Sequence, residues 1–156
     1  MSTHLDLRIR EAATADLDAV LHLYEAAGLD DPGENDRGAA RVFFAQIAAA
    51  GGQVLVAEHD GELLGTLTFF VLPLLAHQGR PGALVEDVAV HPGAQGGGIG
   101  RRLMDEAMRR ARKAGCYKLA LSSNASRVAA HAFYERLGFT RHGLSFAVAL
   151  TEDVVA

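Results

Sequence analysis

Between a strand-like segment, VEDVAV, and an arginine-rich run, RRLMDEAMRRARK, the chain places Gln95-Gly96-Gly97-Gly98-Ile99-Gly100. A strand, a glycine turn and a helix start in that order aim several unpaired backbone N–H groups at one point. Glycines permit positive φ and let a ligand reach the backbone without meeting a Cβ. The helix dipole adds about 0.3–1 kcal/mol for an anion, and Arg101 and Arg102 add full charge. The chemistry on offer is the holding of a phosphate. It is not a Walker loop, because Ile99 stands after Gly98 where the lysine is required, and the dinucleotide spacing G-x-G-x-x-G is absent. Taken alone, the run suits a plain strand–helix connection equally well, so the elements around it decide.

Those elements are legible from periodicity. DLRIREA alternates like a strand. Thr14 stands as N-cap of ADLDAVLHLYEAAG, whose Leu17, Val20, Leu21 and Tyr24 recur at helical spacing up to Gly28. LDDPGENDRG is a polar, turn-rich segment, and AARVFFAQIAAAGG a second helix ended by Gly51-Gly52. QVLVAEHDGELLGTLTFFVLPLL reads as two strands joined at His59-Asp60-Gly61, where Asp-Gly signals a hairpin. HQGRPG is another turn before the strand ALVEDVAV. Ile99, Leu103, Met104, Met108 and Ala111 share one face of the helix after the glycines, which Gly115 closes. CYKLALSS is a further strand and ASRVAAHAFYERLG a further helix, stopped by Gly138. Two short strands, around FTRH and LSFAVAL, complete the pattern. With neither repeat nor linker, residues 1–156 read as one α/β (α+β) domain: a mixed, mostly antiparallel sheet with helices on its faces. The strands on either side of the central helix are expected to be parallel.

VEDVAVHPGAQGGGIGRRLMDEA resembles the acetyl-coenzyme A motif of the GNAT N-acetyltransferases, whose (Gln/Arg)-x-x-Gly-x-(Gly/Ala) core is matched by Gln95, Gly98 and Gly100. NASRVAAHAFYERLGF resembles the family's second signature, an Asn followed by Phe/Tyr-Tyr-Glu and Gly-Phe, and AATADLDAVLHLY fits its weaker N-terminal pattern. The resemblance implies a sheet of about six or seven strands with about four helices, splayed open between two parallel central strands. It also implies that backbone groups of Val88, Ala89 and Val90 pair with the pantetheine arm of acetyl-coenzyme A. Backbone N–H groups from Gln95 through Gly96, Gly97, Gly98, Ile99 and Gly100 to Arg101 would hold its pyrophosphate. Asn124 would bond the pantetheine, and Tyr134 would sit near the thioester sulfur.

Acetyl transfer to an amine sets its own demands. Deprotonating an alkylammonium with a pKa of ~10.4 at pH 7 costs roughly 4.6 kcal/mol, which a carboxylate acting as general base offsets. Glu86 and Asp87 lie on the strand before the loop, and strand alternation lets only one face the cleft. The resemblance favours Glu86; the alternative for both is a solvated or salt-bridging carboxylate. A departing thiolate needs only a hydrogen-bond donor, and Tyr134 is the candidate, its alternative being packing with Phe133 and Leu137. His77, in the turn before the Glu86 strand, can reach a substrate, while His131 and Arg127 on the last helix can approach the nucleotide end of the donor. Most single histidines, however, are surface or satisfied core groups. None of the seven has zinc-site spacing, so no metal is expected.

Composition narrows the classes. A net charge of −4 argues against bulk attraction to nucleic acid or an anionic membrane. Asp105–Arg109 and Glu106–Arg110 are i,i+4 pairs that account for the basic helix face as a solvated surface. Cys116, the only cysteine, fits a reducing cytoplasm and is expected to be inert. The charged N-terminus lacks a signal-peptide pattern, and no apolar run is long enough to span a bilayer. The expected activity is acetyl transfer from acetyl-coenzyme A to a primary amine of a small molecule in a ternary complex, by a cytoplasmic homodimer. The acidic run Asp30, Asp31, Glu34 and Asp36 can serve a cationic acceptor or be a solvated turn. The alternatives are a non-catalytic acyl-coenzyme A sensor and an acetyltransferase acting on protein N-termini or lysines.

Overall fold

A computed structural model describes residues 6–150. The chain divides into two compact units after Leu121. The first holds β1 (Arg8–Glu11), α1 (Leu17–Ala27), α2 (Ala40–Ala49), β2 (Gly52–His59), β3 (Glu62–Leu72), β4 (Gly82–Val90), α3 (Ile99–Lys113) and β5 (Leu119–Leu121). The second holds α4 (Val128–Arg136). The strands form one sheet in the order β1-β2-β3-β4-β5, antiparallel throughout except for the parallel pair β4–β5. The expected parallel pair flanking the central helix is therefore present.

Local sequence explains the corners. Asp60 and Gly61 both take positive φ, 48° and 81°, the backbone that a two-residue hairpin with the right twist needs. At the start of α1 the expected cap moves. Thr14 opens a short 3-10 turn, and the Asp16 carboxylate accepts the Ala13 N–H at 2.6 Å. Arg10 on β1 holds Asp16 by two hydrogen bonds, at 2.7 and 3.0 Å, so a strand residue fixes where the helix begins.

The sheet is covered on both faces. Val54 and Val56 of β2 pack with Val20 of α1, joined by Tyr24 and by Phe44 and Ile47 of α2. On the opposite face, Gly65 of β3 lies against Ile99 and Leu103 of α3. The α3 stripe Ile99, Leu103, Met104, Ala107 and Ala111 is buried, as its spacing requires, with Met108 at its margin. The solvent side of α3 is tied down by Glu106, which accepts from both Arg109 and Arg110; Arg110 also reaches Glu11 of β1 and Gln53 of β2. The sequence pairing of Asp105 with Arg109 is not formed, since Arg109 turns to Glu106 instead.

The sheet has five strands among the described residues, fewer than the six or seven implied. Residues 139–150 contain neither of the two final strands, and Arg141–Leu150 make no backbone hydrogen bond among the described residues. Leu144, Phe146, Val148 and Leu150 are 80–93% exposed. Alternation supplies strand tendency, but a strand exists only with a ladder partner, and this segment pairs with none among the described residues.

Two stability measurements follow from this packing. A Cβ on Gly65 would lie 2.6 Å from Ile99 Cγ2, so Gly65→Ala should destabilise the fold by about 1–3 kcal/mol in denaturant titration. The Arg109 and Arg110 guanidiniums hold the Glu106 carboxyl down at about 2, Arg109 contributing most. A carboxyl depressed in the folded state stabilises above its unfolded pKa of ~4.3 and loses that contribution as pH falls through its folded value. The stability gap between the native chain and Glu106→Gln should accordingly shrink as pH falls from about 5 toward 2.

Candidate active site

The site begins where a ladder ends. Parallel pairing of β4 with β5 covers only Ala83↔Leu119, Leu84↔Ala120 and Val85↔Leu121. Beyond it, from Glu86 to Val90, β4 has β3 as its only strand partner among the described residues. The backbone of Val88, Ala89 and Val90 thus has no second strand partner among the described residues.

β4 leads directly into the glycine loop. A short 3-10 turn, Pro92–Ala94, is tied back by His91, whose Nδ1 accepts the Gly93 N–H at 3.1 Å. Gln95 is extended, Gly96 takes φ 84° and Gly98 takes φ 79° as the N-cap of α3. These two glycines are demanded by the backbone; Gly97 is not. No protein acceptor is found among the described residues for the N–H groups of Gln95, Gly96, Gly98, Ile99, Gly100 and Arg101. A Cβ at Gly96 or Gly98 would meet nothing within 4 Å, so the space over the loop is open. Ile99, where a Walker lysine would stand, is 1% exposed and anchors the helix start to the sheet. Arg101 is exposed beside these donors, whereas Arg102 reaches away to the Leu7 carbonyl at 2.9 Å. Of the two arginines expected to supply charge, only Arg101 is therefore available. The loop has the donors, the openness and the charge that a pyrophosphate requires.

The carboxylates sit on a bulge. Thr68 pairs with Glu86 and Thr66 with Ala89, so Asp87 and Val88 together oppose Leu67. Asp87 takes φ 50°, unusual for a residue with a side chain. Strict alternation, which would turn Glu86 and Asp87 to opposite faces, does not hold across such an insertion. Partial burial raises the Asp87 carboxyl above the usual carboxylate range, and the charge of Asp30 adds to it. Nearby, burial and then the Asp87 charge push the Tyr24 phenol up to about 12, with the Thr68 hydroxyl working the other way. Tyr24 and Thr68 thus lie close to the bulge, which no spacing in the sequence signals. Their only sequence signal was a tyrosine on the apolar face of α1 and a threonine inside an apolar strand. Of the acidic run, Asp36 caps the approach to α2 by accepting the Ala39 N–H at 3.1 Å.

The second unit carries the other two expected residues. The Asn124 Oδ1 accepts from the Ser126 N–H and hydroxyl, at 2.9 and 2.8 Å, and its carbonyl accepts from His131 Nε2 at 2.9 Å. The Asn124 amide nitrogen donates to no partner among the described residues. Tyr134 is half-buried, packed at 5.3 Å from Phe133 and edge-on at 5.9 Å from Phe139. Burial raises its phenol, with Arg127 opposing, so it is protonated at neutral pH. Cys116 is half-buried and burial raises its thiol, the opposite of what a nucleophile needs. No group of three potential metal ligands occurs among the described residues, and no helix among them is long and apolar enough to cross a membrane.

Comparison with known proteins agrees with this geometry. The sequence profile of the acetyltransferase (GNAT) family matches residues 17–139. Glucosamine 6-phosphate N-acetyltransferase of Trypanosoma brucei brucei is 30% identical over 149 residues, 91% of this chain and 95% of its own length. A putative acetyltransferase from Agrobacterium tumefaciens superposes with a TM-score of 0.85 at 33% identity, covering 92% of this chain and 99% of that one. The Trypanosoma brucei acetyltransferase Tb11.01.2886 superposes with a TM-score of 0.83 at 28% identity, covering 93% and 100%. With strand, glycine cradle and helix in the family's order, the chain belongs to the GNAT family of acetyltransferases.

Proposed function

We propose that the protein transfers an acetyl group from acetyl-coenzyme A to a primary amine of a small molecule, by direct attack in a ternary complex. The observation that carries this reading is the continuity of two features: β4 loses its β5 partner after Val85 and then runs into a loop of unpaired N–H groups. An extended pantetheine arm suits the first and a pyrophosphate the second. The Trypanosoma relative, named for an amino-sugar phosphate, supports a small amine as acceptor.

Within this reading the donor supplies an activated thioester, and the protein supplies position and protons. Gln95, Gly96 and Gly98 to Arg101 hold the pyrophosphate through backbone N–H groups, the Gly97 N–H being engaged with the Ala94 carbonyl at 3.3 Å, and Val88, Ala89 and Val90 align the arm as an added strand. Asn124 offers its free amide hydrogens to the pantetheine. Glu86 takes the proton that the acceptor ammonium must lose before its nitrogen can attack the carbonyl carbon. Asp87, whose anionic form burial and the charge of Asp30 disfavour, gains from pairing with the cationic amine at the bulge. As the carbon–sulfur bond breaks, the Tyr134 phenol donates its proton to the departing sulfur, and the resulting phenolate takes the second proton that the acylated nitrogen must lose, leaving a neutral amide and thiol. Holding amine and thioester together supplies much of the acceleration.

Glu86→Gln and Tyr134→Phe should each lower kcat by about 10²–10⁴-fold while leaving acetyl-coenzyme A affinity nearly unchanged. Unchanged turnover in both would remove these assignments. Loss confined to Asp87→Asn would move the base role one residue along the bulge. At the cradle, Gly98→Val forces a branched residue to φ 79° and should weaken acetyl-coenzyme A binding by tenfold or more in calorimetry, whereas Gly97→Ala should change it little.

A further inference from the structure

The turn between β3 and β4 contains the only two consecutive non-glycine residues with positive φ among the described residues, His77 at 57° and Gln78 at 62°, followed by Gly79 at 73°. Backbone held in this region costs free energy and persists where the surroundings fix it, often at ligand sites. What fixes it is a ring stack: the His77 imidazole lies on the Tyr117 ring with centroids 4.0 Å apart and planes 22° apart. The pairing of β4 with β5 sets this up, since Tyr117 donates its N–H to the Pro81 carbonyl at 3.0 Å and Ala83 donates to the Lys118 carbonyl at 2.9 Å.

Two cations converge on the same ring. The Arg80 guanidinium lies 5.9 Å and the Lys118 ammonium 5.4 Å from the Tyr117 centroid. Arg80 is further oriented by its Nε, which donates to the His77 carbonyl at 3.3 Å. Neither cation meets a carboxylate among the described residues, and His77, Arg80 and Lys118 are all exposed. Two like charges around one aromatic ring repel each other, and the ring offsets only part of that repulsion. In a chain of net charge −4, such a pair of uncompensated cations is a site in want of an anion.

We infer that His77, Arg80 and Lys118, arranged around the Tyr117 ring, bind a phosphate monoester. The guanidinium offers a planar fork to two phosphate oxygens, the ammonium a point charge, and the imidazole a ring N–H. Two sources share this chemistry: the phosphate of the acetyl acceptor, a case that rests on the acetyltransferase reading, and a separate phosphorylated ligand. Gly82, beside the cluster, is four strand residues from Glu86, or about 13 Å.

The test is calorimetric titration of the intact protein with inorganic phosphate, at low salt and with saturating coenzyme A so that the glycine loop is filled. It is repeated on the double variant Arg80→Ala/Lys118→Ala, with circular dichroism establishing that the variant is folded. Phosphate should bind the native chain and bind the variant at least tenfold more weakly. In parallel, kcat/KM is measured for glucosamine 6-phosphate and for glucosamine. A tenfold or greater loss for the phosphorylated amine alone assigns the site to the acceptor. Weakened phosphate binding with both amines unaffected assigns it to a separate ligand. No phosphate binding to the native chain, or equal binding to both proteins, overturns the site. Absence of acetyl transfer to every amine would instead overturn the activity, and the phosphate titration would still judge the site.

Discussion

The contact between Ile99 and Gly65 fixes the point at which α3 starts, and much of the molecule depends on that point. Gly65 has no side chain, so the first residue of the helix seats directly on β3, and Leu103 follows one turn later. The donors of the first helical turn are consequently held at the end of β4 rather than carried off by a moving loop. Gly96 and Gly98 then have to absorb the change of direction within a few residues, which is why both take positive φ. The glycine loop is thus placed by core packing at the start of α3.

The second constraint is the short β4–β5 ladder. Three residue pairs join the parallel strands, and the bulge at Asp87 begins two residues after the last of them. Pairing upstream locks Tyr117 and Lys118 beside the β3–β4 turn, while its absence downstream frees the backbone from Glu86 to Val90. One strand thus carries structural pairing, carboxylates and an open edge in sequence, and passes directly into the glycine loop. Partial burial and the charge of Asp30 raise the Asp87 carboxyl, so its anionic form is disfavoured at the bulge in the absence of a cation.

The glycine loop, the hairpin at Asp60-Gly61 and the buried stripe of α3 were legible in the sequence, because each depends on residues close together in the chain. The parallel pair followed from the connection rule for strands flanking a helix. The bulge was not legible: Asp87 and Val88 oppose a single residue only because of the register with β3. Nor was the cap at Asp16, which depends on Arg10 from a strand. Tyr24, Thr68 and Asp87 come together through helix-on-sheet packing, and His77 meets Tyr117 across some forty residues, so spacing carries no trace of either. The final alternation in LSFAVAL predicted a strand correctly as a tendency and wrongly as an element, since pairing is a property of two segments.

The central claim is that the unpaired edge of β4 and the N–H groups of the glycine loop hold acetyl-coenzyme A for direct attack by an amine. The most direct measurement is the initial rate of free thiol release as acetyl-coenzyme A and a primary amine are varied together, over a panel of small amines. Direct transfer predicts amine-dependent release with double-reciprocal lines that intersect. Parallel lines would contradict direct attack, and acetyl-coenzyme A binding without thiol release for any amine would contradict the activity itself.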